Sequence, residues 1–100
     1  MQFHVVIRDF ATSETPARRT AVRGAHLEGV KRLYREGRFL AGGPLLDAQG
    51  VMVGSAMFVD FPDEAALRAR LAVDPYTTGK VWDPATISIQ PMIVADTRKL

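Results

Sequence analysis

The sequence has 100 residues, of which 47% are hydrophobic and 24% are charged, and its formal net charge is +2. These values are typical of one globular domain, here residues 1–100, and exclude a disordered chain. There are no cysteines, which excludes disulfides, thiolate metal sites and cysteine nucleophiles.

The first half of the chain predicts a strand, a helix and a second strand. Residues 2–8 are rich in β-branched and aromatic types, as strands are. Thr15 and Pro16 suit a helix start, with threonine as the cap, and Gly37 suits a left-handed cap after Glu36. The inward face of this helix carries apolar or small residues and one histidine at helical spacing: Val22, His26, Gly29, Val30 and Leu33.

Two further strands, at 38–46 and 51–60, are joined by Asp47-Ala48-Gln49-Gly50, which is turn chemistry typical of a hairpin. Gly42-Gly43-Pro44 interrupts the first of them and favours a β-bulge over a phosphate cradle, because no helix start follows. The strand at 51–60 is apolar on both faces. We therefore expect both of its faces to be covered.

A second helix begins at Pro62-Asp63-Glu64 and stops before Pro75, since the residue before a proline avoids the α region. Leu67, Leu71 and Asp74 share one face of it. After a loop through Trp82, a final strand is expected near residues 85–94, and Pro91 suits an edge position there.

The predicted order is β-α-β-β-α-β. Short connections and the right-handed crossover rule favour an α+β, ferredoxin-like fold, with one antiparallel sheet and both helices on one face. Two helices cover only one face of the sheet. We therefore expect a homodimer that buries the other face.

His26 and Asp74 are the strongest candidates for chemistry, because each occupies an inward position where packing favours leucine. Together they would form a proton-transfer dyad in which Asp74 orients the imidazole. The alternatives are a core histidine bonded to a backbone carbonyl and an aspartate that only ends a helix. A carboxylate at a helix C-terminus is disfavoured by the helix dipole, by ~0.3–1 kcal/mol, so we expect Asp74 to have a compensating partner.

The chain resembles the YCII-related (YciI-like) family over roughly residues 2–94. The resemblance is carried by four short motifs in order: Arg23-x-x-His26-Leu27, Gly43-Pro44, Gly54-Ser55 and Asp74-Pro75-Tyr76. It implies a ferredoxin-like dimer of the α/β-barrel kind, with a site centred on His26 and Asp74. Some family members are linked to lyase-type chemistry in chloroaromatic breakdown, whereas most have no assigned reaction.

Several other residues are candidate substrate contacts, each with a structural alternative. Arg23 lies one turn before His26, where it would bind a substrate anion or pair with Asp74 or a surface acid. Ser55 follows Gly54, whose missing side chain would leave room for a ligand, and Ser55 would donate a hydrogen bond to the reacting oxygen of that ligand. The alternative for Ser55 is a simple sheet contact. Gly43, Pro44 and Tyr76 complete the set, and Tyr76 and Trp82 suit either a pocket wall or the core.

Other function classes have little support. The two histidines, His4 and His26, lack metal-ligand spacing, and no glycine-rich dinucleotide fingerprint is present, so we expect no metal and no cofactor. The arginines, Arg18 and Arg19 among them, are dispersed and predict a solvated surface without a nucleic-acid partner. No apolar run approaches eighteen residues, so we expect no membrane partner. No segment resembles a signal peptide, so a cytoplasmic location is expected.

The favoured function is a cofactor-independent lyase- or isomerase-like enzyme that uses His26 and Asp74 on a small cyclic or aromatic anion. The alternative is a non-catalytic dimeric protein that binds a small molecule in the same cleft.

Overall fold

The structure is a computed structural model that describes residues 1–100. Its elements are β1 (Gln2–Arg8), α1 (Thr15–Arg35), β2 (Phe39–Leu46), β3 (Met52–Asp60), α2 (Glu64–Ala72), α3 (Pro75–Thr78) and β4 (Ser88–Met92). Short 3-10 turns occur at Pro84–Thr86 and Thr97–Lys99. None of the helices combines the length and the apolar character needed to cross a bilayer.

The strands form one antiparallel sheet in the order β2-β3-β1-β4. This order, with the helices on one face, confirms the predicted ferredoxin-like α+β fold. β4 pairs only with β1, so Pro91 lies in an edge strand as predicted, where a missing backbone N–H does little harm.

The core lies between the sheet and the segment that runs from α2 to Trp82. Phe3, Val5 and Ile7 alternate along β1, point to the helix side and are fully buried. The other core residues are Met57, Val59, Phe61, Leu67, Leu71, Tyr76, Val81 and Trp82. β1, β3, α2 and α3 therefore supply most of the buried apolar surface.

α1 contributes to the fold differently from α2. Its predicted stripe does face inward, but every residue of that stripe is only half-buried. The residues of α1 that are buried outright are polar, Thr15 and Arg19. This helix therefore lies over the sheet without packing its inward stripe closely against it, and a space remains between the two.

Several element ends differ from the sequence predictions. α1 begins at Thr15, so this residue is inside the helix and is not its cap; its hydroxyl donates to the Phe10 carbonyl at 2.7 Å. β4 covers only Ser88–Met92, because the Asp83 side chain accepts from Ala85 N at 3.0 Å and caps a 3-10 turn where the strand was expected to start. Gly37, with φ +75°, is the predicted left-handed residue after α1.

The β2–β3 hairpin turns at Asp47 as predicted, since its carboxylate accepts from the backbone N–H of Gln49 and Val51. The predicted bulge at residues 42–44 is wrong: pairing is regular there, and the register shifts lie between Phe39 and Ala41 and between Leu45 and Leu46. Instead, the absence of a side chain at Gly42 allows β2 and β3 to approach each other closely. A Cβ atom at Gly42 would lie 2.6 Å from the Ala56 carbonyl oxygen and 2.8 Å from Met57 Cβ.

The neighbouring glycines Gly42 and Gly43 should therefore respond oppositely to alanine. Gly42→Ala forces β2 away from β3 and is expected to lower the free energy of unfolding by about 1–3 kcal/mol. Gly43→Ala meets no atom within 4 Å and should be neutral or stabilising by up to about 1 kcal/mol, because it restricts the unfolded chain. Urea unfolding of both variants measures this, and equal losses of stability would contradict the assignment.

Candidate active site

A cavity of about 160 Å³ lies between α1 and the β2–β3 half of the sheet. Its polar end is formed by Arg19 and His26 of α1 and by Ser55 of β3. Its apolar end lies farther along the same elements, near Leu33 and Val59. The remaining walls include Val30, Phe39, Gly43, Pro44, Met57, Leu67, Arg70, Asp74, Tyr76 and Trp82.

His26 and Asp74 are in direct contact. The imidazole Nδ1 lies 2.8 Å from Asp74 Oδ1, and the two side chains are 13% and 4% exposed. Asp74 Oδ1 also accepts from Tyr76 N at 2.8 Å, and Oδ2 accepts from an Arg70 guanidinium N–H at 3.2 Å. Since both carboxylate oxygens act as acceptors, Nδ1 is the donor, and in the neutral imidazole the lone pair is therefore on Nε2.

The local reason for the position of Asp74 differs from the prediction. α2 ends at Ala72, and Asp74 is extended (φ −61°, ψ 139°), as the following proline favours. It is therefore the N-cap of α3 and not the last residue of α2. The dipole argument based on a helix C-terminus was wrong, because the carboxylate faces the N–H groups at the start of the next helix.

Arg70 and Gly29 complete the surroundings of Asp74. Arg70 lies four residues before it, a spacing that favours an ion pair and could have been read from the sequence. A Cβ atom at Gly29 would lie 2.8 Å from Arg70 Nη2, so the glycine in the stripe of α1 leaves space for this guanidinium.

Aromatic rings fix the orientation of His26. The ring of Tyr76 stacks on the imidazole, with centroids 3.8 Å apart and planes 11° apart. The Trp82 ring meets both rings edge-on, at 5.6 Å from His26 and 5.5 Å from Tyr76. The backbone N–H groups of Val81 and Trp82 both donate to the Tyr76 carbonyl, which ties the two aromatic residues together. One face and one edge of the imidazole are therefore occupied by protein.

Arg19 is the functional-site residue that the sequence reasoning placed wrongly, as part of a solvated surface. It is 7% exposed and pairs with Asp9, with Nε 2.8 Å from Oδ2. Its other N–H groups donate to the Gly54 carbonyl at 2.9 Å, to Ser55 Oγ at 3.1 Å and to Tyr76 Oη at 3.3 Å. Its spacing of seven residues from His26, two helical turns, was the available signal.

Arg23 lines the same cavity but is exposed and has no hydrogen bond or ion pair. The alternative in which it pairs with Asp74 is wrong, because that partner is Arg70. Arg23 is therefore the cavity-lining cation whose charge no carboxylate balances, since Arg19 pairs with Asp9.

Ser55 is buried and accepts from Trp82 Nε1 at 3.1 Å as well as from Arg19. The ligand space expected from Gly54 is absent. A Cβ atom at Gly54 would lie 2.6 Å from the Ile7 carbonyl oxygen, so this glycine serves strand contact. Gly43, Pro44 and Tyr76 do line the cavity.

The model of the YCII-related domain family matches residues 1–88. The chain belongs to the YCII-related family. A search of curated proteins returned no match.

Among solved structures, the fold is similar to 5-chloro-2-hydroxyhydroquinone dehydrochlorinase from Burkholderia phenoliruptrix AC1100, solved in complex with 2,5-dihydroxybenzoquinone. The TM-score is 0.79 at 20% sequence identity, covering 95% of this chain and 96% of that one. At this identity the likeness establishes the shared fold.

The two cavity-lining arginines of α1 offer a test of the buried network. Arg19→Met should lower the free energy of unfolding by about 3–5 kcal/mol, because it leaves the buried Asp9 carboxylate without its partner. Arg23→Met, the same change at an exposed site, should stay within about 0.5 kcal/mol of the parent protein. Thermal and urea unfolding report both values.

Adding Asp9→Asn to Arg19→Met should recover part of the lost stability, since no unpaired charge then remains buried. Similar stability of the two single variants would show that Arg19 is not buried in an ion pair.

Proposed function

We propose that this protein is a cofactor-independent enzyme that performs acid–base chemistry, an elimination or a proton transfer, on a small cyclic or aromatic anion. The observation that carries the proposal is the arrangement of His26. Its Nδ1 is held by Asp74 and one ring face is held by Tyr76, while Nε2 has no partner in the protein. A histidine held in this way is suited to accept a proton from a molecule in the cavity.

In the proposed mechanism, His26 Nε2 takes a proton from a ring carbon or a hydroxyl group of the substrate. The electron pair of the broken bond stays on the substrate and, in an elimination, expels the leaving group together with its own bond pair. Asp74 stabilises the imidazolium that forms. Tyr76 and Trp82 prevent the ring from turning, so the acid that returns the proton has the same position as the base.

The dimensions and charge of the cavity support a single-ring anion. An apolar cavity of roughly 150 Å³ is large enough for benzene, and the cavity here is about 160 Å³. Arg23 supplies the unbalanced positive charge for an anionic substituent. The structural neighbour is named for an elimination on a chlorinated hydroquinone, which supports the same class of substrate.

The dyad is tested by assaying chloride release from 5-chloro-2-hydroxyhydroquinone by the parent protein, His26→Gln and Asp74→Asn. General-base catalysis typically contributes ~10²–10⁴-fold, so His26→Gln should reduce turnover by about that factor and Asp74→Asn by somewhat less. Arg32→Gln, on the exposed surface of α1, is the matched control and should leave the rate unchanged.

Turnover by His26→Gln at the parental rate would exclude the dyad as the catalytic group. Saturable binding of the hydroquinone without chloride release, in the parent protein and the variants alike, would favour the non-catalytic binding protein instead.

We also propose that a second copy of the chain covers the open face of the sheet. The side chains that point away from the helices include half-buried apolar groups, Val6, Leu45, Phe58 and Met92. His4 stacks on Phe58 there, with ring centroids 5.0 Å apart. A two-layer fold leaves such a face uncovered, and pairing with an identical face buries both.

Sedimentation at micromolar concentration should therefore give twice the 11.0 kDa chain mass. Phe58→Glu places a charge in the middle of the proposed interface and should give monomers, whereas Tyr34→Glu, at a residue 68% exposed on α1, should not. A parent protein that sediments as an 11.0 kDa monomer contradicts this proposal.

A further inference from the structure

The hydroxyl groups of Ser55 and Tyr76 lie at the polar end of the cavity and share one donor, the guanidinium of Arg19. A guanidinium has no acceptor atom, so both hydroxyl oxygens must accept from it. Each hydroxyl hydrogen is then free to point elsewhere. This bonding direction follows from the chemistry of arginine alone.

Ser55 can form only one further hydrogen bond, as a donor. Its oxygen also accepts from Trp82 Nε1, another group that can only donate, so both of its lone pairs are used. The one remaining capacity of this buried side chain is to donate its hydrogen. Both hydrogen bonds of Ser55 Oγ are with donors, so its own hydrogen makes no hydrogen bond within the protein.

Tyr76 Oη is in the same situation, with Arg19 as its one partner and no acceptor in the protein for its hydrogen. The residue is 2% exposed, so bulk solvent is not a ready acceptor. Its ring stacks on His26, which sets this second hydroxyl beside the imidazole.

We infer that Ser55 Oγ–H and Tyr76 Oη–H together form a binding site for an oxygen anion on the ring of the ligand, a phenolate or an enolate. The site lies next to the base: as His26 Nε2 takes the proton, the electron pair of the broken bond moves onto the substrate oxygen, and the two hydroxyls donate to that oxygen. The inference rests on the proposed function for this step and names its substrate class, a ring that carries an oxygen able to hold negative charge.

Arg19 and Asp9 explain why two neutral hydroxyls would suffice. Hydrogen bonds donated by a cation polarise the hydroxyls that accept them and make these hydroxyls stronger donors. Asp9 balances the charge of Arg19 through contacts of 2.8 Å at Nε and 3.5 Å at Nη2. The guanidinium is thereby held rigidly and acts on the ligand through Ser55 and Tyr76, in the manner of a preorganised oxyanion site.

Binding of 4-nitrophenol tests the site without any turnover, because the phenol and the phenolate differ in colour. The parent protein should bind the phenolate more tightly than the neutral methyl ether, 4-nitroanisole. Tyr76→Phe and Ser55→Ala should each weaken phenolate binding by about 10- to 100-fold, as expected for a hydrogen bond to a charged group, and leave 4-nitroanisole binding unchanged. His26→Gln should retain phenolate binding.

Tyr76→Phe is the decisive variant, because it removes one oxygen atom and keeps the ring that stacks on His26. Equal affinity of the parent protein for phenolate and ether, or no binding of either, overturns the inference. So does phenolate binding that survives both hydroxyl variants, or that is lost in His26→Gln as strongly as in them. If the parent protein binds the phenolate in this way but releases no chloride in the assay described above, the enzyme proposal is refuted and the binding site for the oxygen anion is retained.

Discussion

The Asp74 carboxylate accepts hydrogen bonds from three elements at once, and the geometry of the candidate site depends on that convergence. His26 reaches it from α1, Arg70 from α2 and the Tyr76 N–H from the first turn of α3. The carboxylate is almost completely buried, so each of these bonds replaces a contact with water that folding removed. Displacing any one element would leave a buried charge poorly satisfied, which keeps the three aligned.

The helices bury different kinds of side chains. α2, α3 and the strands bury the large apolar side chains, whereas α1 buries Thr15 and Arg19 and leaves a cavity beneath its inward stripe. Dense packing of that stripe would contribute more stability but would leave no space beside His26. No buried side-chain nitrogen or oxygen of the protein is left without a hydrogen-bond partner. The side chains around the cavity are therefore held in position by contacts within the protein.

The misplaced residues share one physical cause. Arg19 was assigned to the surface because arginine usually lies there, and the pairing that makes its burial possible comes from Asp9, at the end of β1. Asp74 was assigned to the end of α2 because Pro75 was read as the residue that stops this helix. In the structure Pro75 is the first residue of α3. Gly54 was assigned to a ligand although its neighbour is the backbone of β1. In each case the deciding contact is with another element, and a pattern within one element does not identify that partner.

By itself, the sequence determined the order of the elements other than α3, the hairpin at Asp47, the left-handed Gly37 and the inward positions of His26 and Asp74 that suggested their pairing. These follow from local chemistry, since backbone freedom, side-chain caps and helical spacing act over a few residues. Only the tertiary structure decided that Arg19 is buried, that Ser55 and Tyr76 share it as donor, and that a cavity remains beside them. Arg19 and Ser55 are 36 residues apart, and His26 and Asp74 are 48 apart. Whether polar groups so distant in the chain satisfy one another depends on how the helices and the sheet close around them, because a buried hydrogen bond requires its partners to be placed within a few tenths of an ångström.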